Sequence, residues 1–188
     1  NVLVVQQICV IGLLNAVAFA IYGPRVYVVL AFPLLTIFLV TPMWNVLENP
    51  LRDLSTVVTH VVLEMLSMPV LLEGYEVTVP GGRFVIEPAC SGLGFFLCSG
   101  LIGAYFAYFN RLGLRQMGGF IVLGLAPSIV ANWIRILAII TVGNATQMDH
   151  WIVDDHLFFG WLLFSGMLIP YFWAGNVLLN RWQPAFDD

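Results

Sequence analysis

Five stretches of this chain have the length and apolar character of helices through a bilayer: residues 2–21, 26–42, 93–109, 117–142 and 157–179. Four of them contain no Asp, Glu, Lys or Arg, and the fifth contains one, Arg135. A helix needs about 20 apolar residues to cross the ~30 Å hydrocarbon layer. A helix also satisfies its own backbone hydrogen bonds, which lipid cannot do. The runs therefore predict an all-α polytopic membrane protein with about five transmembrane helices. Only 10% of the residues are charged, against about 25% in soluble domains. The net charge of −4, with seven Arg and no Lys, offers no basic stripe for nucleic acid.

The first two runs are separated only by Gly23-Pro24-Arg25, so they are expected to lie antiparallel. Residues 44–72 differ in kind. Asp53, Thr56, His60, Glu64 and Ser67 recur at helical spacing, with Leu54, Val58, Val61, Val62, Met65 and Leu66 apolar. The segment fits an amphipathic helix on the membrane surface or a span whose polar stripe faces a wet cavity. Residues 73–87 read as a short extracytoplasmic β-hairpin, with 75–79 and 83–86 flanking Pro80-Gly81-Gly82. A basic loop at 110–115, a polar acidic loop at 143–156 and an acidic tail after Arg181 complete the chain. The whole of 1–188 is expected to form one integral-membrane domain. Its opening at Asn1, directly in an apolar run, reads as a segment of a longer chain.

Arg111, Arg115 and Arg181 flank the later spans, and the positive-inside rule puts them in the cytoplasm. The opposite ends of those spans then face the exterior, and with them Cys90, the end of 117–142 and the loop before Leu157. Cys90 is expected in the first turn of the 93–109 helix, after the break at Pro88, with Ser91 as N-cap and Gly92 following. A thiolate there meets the positive end of the helix dipole. Arg135 is a charge within a span, which marks a functional site by default. Its bland reading is snorkelling, or pairing with Glu64 or Glu87. Asn132, one turn earlier, shares its helix face and could orient it. His156 opens the last span and is the candidate proton carrier, with Asp155 beside it. A metal site from Asp149, His150, Asp154, Asp155 and His156 has a spacing that matches no familiar one, so no metal or other cofactor is expected. Cys9 and Cys98 read as small hydrophobes. On this reading Cys90 attacks a peptide carbonyl, His156 shuttles protons, and Arg135 with N–H groups near Gly92 stabilises the oxyanion.

Three blocks carry a resemblance: Glu87-Pro88-Ala89-Cys90-Ser91-Gly92-Leu93, Ala131-Asn132-Trp133-Ile134-Arg135-Ile136, and Asp155-His156-Leu157-Phe158-Phe159-Gly160-Trp161. In this order, at the ends of spans, they resemble the signature blocks of the exosortase/archaeosortase family, most closely the bacterial exosortase A type. Pro42-Met43-Trp44, Pro50-Leu51 and the 79–84 segment are similar as well. The resemblance implies a multi-pass cysteine protease-transpeptidase of the bacterial inner membrane, acting at its outer face. Its substrates would be membrane-tethered proteins with a C-terminal sorting signal: a Pro-Glu-Pro-type (PEP-CTERM) motif, an apolar helix and a basic end. They would be cleaved and transferred to a cell-surface acceptor, often where exopolysaccharide is exported. The family's catalytic Cys, Arg and His map onto Cys90, Arg135 and His156. Gly94 departs from relatives that carry a larger residue there, which bears on substrate subclass.

Rival readings make different demands. A non-catalytic scaffold of surface or exopolysaccharide export does not explain Arg135. A transporter would need polar groups such as Arg135, Glu64 and His60 through the membrane depth. A thiol–disulfide oxidoreductase needs a second outer cysteine, and Cys98 lies two helical turns deeper than Cys90.

Overall fold

The computed structural model describes residues 2–182, and the acidic tail lies outside the described residues. The chain forms two compact units, 1–47 and 48–188.

In the first unit, α1 (Val2–Thr36) is interrupted at Gly23, whose φ of 70° and ψ of 171° are not helical. Positive φ comes easily to glycine alone, and Pro24 lacks the N–H that a continuous helix would use. The chain doubles back there. The Tyr27 hydroxyl donates to Asn15 Oδ1 at 3.0 Å, and the rings of Phe19 and Tyr27 meet edge-on at 5.4 Å. In one straight helix, residues 15 and 27 would be about 18 Å apart. Gln6, Gln7, Val10 and Ile11 share a groove with Ile37, Val40 and Thr41. The expected antiparallel pair is therefore present within Val4–Val40, one of three stretches long and apolar enough to cross a membrane. The others are Leu114–Thr146 and His156–Arg181, with Leu93–Phe109 a shorter apolar helix.

The second unit begins with α2 (Glu48–Met65), amphipathic as expected. Its buried face is Ser55, Thr56, Thr59 and Leu63, while Leu54, Val57, Val61 and Met65 are exposed. A hydroxyl-bearing face thus meets the protein and an apolar one points outward. Ser67, with φ of 57°, turns the chain into a three-stranded antiparallel sheet of β1 (Leu71–Glu73), β2 (Glu76–Val79) and β3 (Gly82–Val85). The 75–79 and 83–86 hairpin closes through Pro80-Gly81, with Val79 opposite Gly82; β1 is a strand beyond it. Val77, Val79, Phe84 and Ile86 pack inward against Leu63, Ile136 and Ile140. Arg52 of α2 clamps the sheet, donating from Nε to the Ile86 carbonyl at 2.5 Å and covering the Tyr75 ring at 3.6 Å. Tyr75 in turn donates to Asp53 at 2.6 Å, a bond that holds its phenol above the usual range.

Three apolar helices follow: α3 (Leu93–Phe109), α4 (Leu114–Thr146) and, after the single turn α5 (Trp151–Asp154), α6 (His156–Trp182). Aromatic contacts bind them, Phe106 stacking on Phe120 at 4.6 Å and Tyr171 donating to the Phe120 carbonyl at 3.1 Å. The 33 residues of α4 extend about 50 Å, well beyond the hydrocarbon thickness. Arg115 and Arg135 are 20 residues, or about 30 Å, apart, which puts Arg135 near one membrane boundary if Arg115 marks the other. The last turns of α4 carry the sheet. Gly81 donates its N–H to Asn144 Oδ1 at 2.7 Å, and a Cβ on Gly143 would sit 2.6 Å from the Phe84 ring.

Candidate active site

Extended Glu87 leads from the sheet into a 3₁₀ turn, Pro88–Cys90. Proline suits the first position of such a turn because its missing N–H would have no partner there. The turn is closed by the Cys90 N–H on the Glu87 carbonyl at 2.8 Å and the Ser91 N–H on the Pro88 carbonyl at 3.0 Å. Gly92 then adopts φ of 86°, and α3 starts only at Leu93. This corrects the expectation that Cys90 and Ser91 occupy the first turn of the helix. The capping position belongs to Gly92, and Ser91 Oγ accepts the Leu93 N–H at 3.3 Å from one residue further out. Among the described residues the Gly92 N–H has no acceptor, so it is the free backbone donor beside the thiol.

Asn132 holds this turn from α4. Its Nδ2 donates to the Cys90 carbonyl at 2.9 Å and to Ser55 Oγ of α2 at 3.3 Å. A Cβ on Gly92 would approach Asn132 Cγ to 2.8 Å, so glycine is required by close approach as well as by conformation. Asn132 was read as a group that could orient Arg135; its described bonds go to the Cys90 turn and to Ser55 instead.

Arg135 is 3% exposed, and it has no carboxylate partner among the described residues. Neither anticipated pairing forms: Glu64 lies 3.7 Å from His60, and Glu87 is exposed. The guanidinium instead donates from Nη2 to the Ala89 carbonyl at 3.4 Å and sits 5.1 Å from the Phe95 ring centroid, with Nε unpartnered. Gly160 of α6 makes the space, since a Cβ there would lie 2.6 Å from Arg135 Cδ. A buried cation left unpaired is costly, and it is poised to receive negative charge.

His156 is the first residue of α6. Its Nδ1 lies 3.3 Å from the Val153 carbonyl. A carbonyl can only accept, so this contact assigns the proton to Nδ1 and leaves the Nε2 lone pair free. Asp155 is exposed, and its Oδ1 accepts the Phe158 N–H at 3.2 Å; it caps α6 through the backbone. His150 similarly caps α5, its Nδ1 accepting the Ile152 N–H at 3.2 Å. Among the described residues no three His, Cys, Asp or Glu side chains gather as a metal site.

Cys90, 9% exposed, and His156 line one cavity of about 310 Å³, walled by Arg83 to Glu87 and floored by Ile136, Ile139, Ile140 and Val153. Arg135 opens on a neighbouring space of about 150 Å³ with Ala89, Phe95, Leu157 and Trp161. Cys90 and His156 thus border one cavity, and the Arg135 guanidinium borders the next. The bond to the Ala89 carbonyl brings the guanidinium to the residue before Cys90. Such a set can perform nucleophilic attack, proton transfer and anion stabilisation. Sequence reasoning missed Ser55, Phe95 and Gly160. Each supports the site from another helix, and none stands out from a helical pattern.

No curated protein and no solved structure matches the chain. Comparison with protein families, however, matches residues 1–173 to the family described as transmembrane exosortase. That match takes in the first unit, most of the second and every residue of the site, and the chain belongs to the transmembrane exosortase family.

Proposed function

We propose that this protein is a membrane-embedded cysteine transpeptidase. It cleaves C-terminal sorting signals of the PEP-CTERM kind from exported, membrane-tethered proteins at the outer face of the inner membrane, and transfers them to a surface acceptor. The observation that carries this reading is the shared cavity of Cys90 and His156 beside a buried, unpaired Arg135. Lipid supplies the route of approach, because a tethered substrate reaches such a site by diffusing laterally. The cytoplasmic assignment of Arg111, Arg115 and Arg181 supports the outward orientation.

In the first half-reaction His156 Nε2 takes the proton from Cys90 Sγ, and the thiolate attacks the scissile carbonyl carbon. The negative charge that develops on the carbonyl oxygen is met by the Arg135 guanidinium and the Gly92 N–H. The C–N bond then breaks. The imidazolium returns its proton to the leaving amine, which departs on the C-terminal apolar helix. The remaining acyl group is held as a thioester on Cys90. An acceptor nucleophile gives its proton to His156 and attacks the thioester, the C–S bond breaks, and the imidazolium returns the proton to the departing Cys90 thiolate. Asn132 touches no reacting atom; it positions the Cys90 turn.

The test is coexpression with a reporter bearing such a signal. Cys90→Ala, Arg135→Ala and His156→Ala are each expected to stop processing, with the enzyme still present in the membrane fraction. Full processing by Cys90→Ala would overturn the proposal.

A further inference from the structure

The sheet has a free edge beside the proposed nucleophile. Strand order is β1-β2-β3, so β3 is paired on one side only. Its hydrogen-bond parity follows from the Ile86 N–H, which donates to the Tyr75 carbonyl at 2.9 Å. In an antiparallel pair the groups that face the partner alternate. Ile86, Phe84 and Gly82 therefore direct their backbone groups to β2, and Arg83 and Val85 direct theirs to the open side. Among the described residues the backbone groups of Arg83 and Val85 have no partner on that side. Val85 is 54% exposed. The cavity of about 310 Å³ runs beside Arg83 to Glu87 and ends on Cys90 and His156.

The direction of the strand is also fixed. Gly81 meets Asn144, Phe84 meets Gly143, and the Cys90 carbonyl meets Asn132, so the chain descends along α4 from its end toward the level of Arg135. A substrate anchored by a C-terminal apolar helix must run the same way, from solvent into the membrane.

We infer that the substrate segment before the scissile bond binds as an extended strand, parallel to β3, against the open backbone groups of Arg83 and Val85. This rests on the catalytic reading of Cys90. Strand addition recognises main chain, and side chains at alternate positions meet the pocket. The floor of Ile136, Ile139 and Ile140 takes apolar side chains. A helical substrate segment could not make these bonds, so the ligand is an extended peptide that becomes helical only below the cleavage point.

The test is a sorting-signal peptide in phosphatidylethanolamine–phosphatidylglycerol vesicles, N-methylated at one non-proline residue at a time and turned over by the unaltered enzyme. The expected result is at least a tenfold loss of kcat/KM at positions two residues apart, with the intervening positions little affected. In parallel, Val85→Pro removes one outward N–H without touching the bonds to β2. It should lower turnover by a similar factor while Cys90 alkylation by iodoacetamide keeps its rate. Equal sensitivity at every position, insensitivity at all of them, or full turnover by Val85→Pro would overturn the strand pairing and leave the nucleophile assignment standing. Turnover that survives Cys90→Ala would remove the catalytic reading and the pairing with it.

Discussion

Arg135 sits where a stability argument alone would not keep it. The guanidinium is buried, has only a long bond to Ala89 and an aromatic face for company, and leaves Nε unpartnered. Replacing a buried ion pair with apolar side chains of similar volume is often neutral or stabilising, by about 1–4 kcal/mol, and Arg135 has no described carboxylate partner that its loss would strand. Losing one donor to an oxyanion slows catalysis by about 10²–10³. Arg135→Met is therefore expected to leave the thermal midpoint in detergent unchanged or raised while processing falls at least a hundredfold. A lowered midpoint with processing retained would make Arg135 structural. Asn132 makes the opposite bargain, since its amide is spent on the Cys90 carbonyl and Ser55 and it stiffens the turn rather than facing the substrate.

At the level of elements, the sheet and the Cys90 turn form one continuous ribbon laid along the end of α4. The seat of that ribbon is narrow. A Cβ on Gly143 would lie 2.6 Å from Phe84 and 3.3 Å from Val153. Overpacking of this kind costs about 1–3 kcal/mol. Gly143→Val should lift the sheet from α4 and open the wall of the Cys90 cavity. The measurement is limited proteolysis at residues 80–87, expected to quicken, together with a loss of processing; unchanged proteolysis would contradict the docking described. The hairpin was legible in the sequence because its strands alternate around a Pro-Gly turn. β1 was not, because Leu71-Leu72-Glu73 is short and does not alternate. The bounds of α3 were legible, but the placement of Cys90 and Ser91 in its first turn was not: a positive φ at Gly92 sets them in a separate 3₁₀ turn. The sequence left the setting of α2 open between a surface helix and a span with an inward polar stripe, because periodicity does not say which face meets protein. Beside lipid the apolar face can point outward, and Ser55 and Thr59 can be the buried residues.

For the whole molecule, the apolar runs made the membrane class and the reversal at Gly23 legible, since length and punctuation carry both. The gathering of Cys90, His156 and Arg135 around one turn was only partly so. Helix direction puts three residues at one end of a bundle, but side-chain partners depend on the facing helices, as the choice of Asn132 for Cys90 shows. The sidedness that the function needs is testable directly. In spheroplasts expressing a Cys9→Ser, Cys90→Ala, Cys98→Ser background, Glu73→Cys should react with an impermeant maleimide, and Arg115→Cys only after permeabilisation; the reverse pattern would invert the topology.

The central claim is that Cys90 carries the cleaved substrate as a thioester. Its most direct test is to incubate the enzyme in vesicles with a sorting-signal peptide and no acceptor, quench in acid, and measure the mass of the Cys90-containing peptide. The account predicts an adduct of the substrate's N-terminal fragment on Cys90, released by neutral hydroxylamine and absent from Cys90→Ala. Cleaved substrate accumulating with Cys90→Ala, or an adduct on another residue, would contradict it.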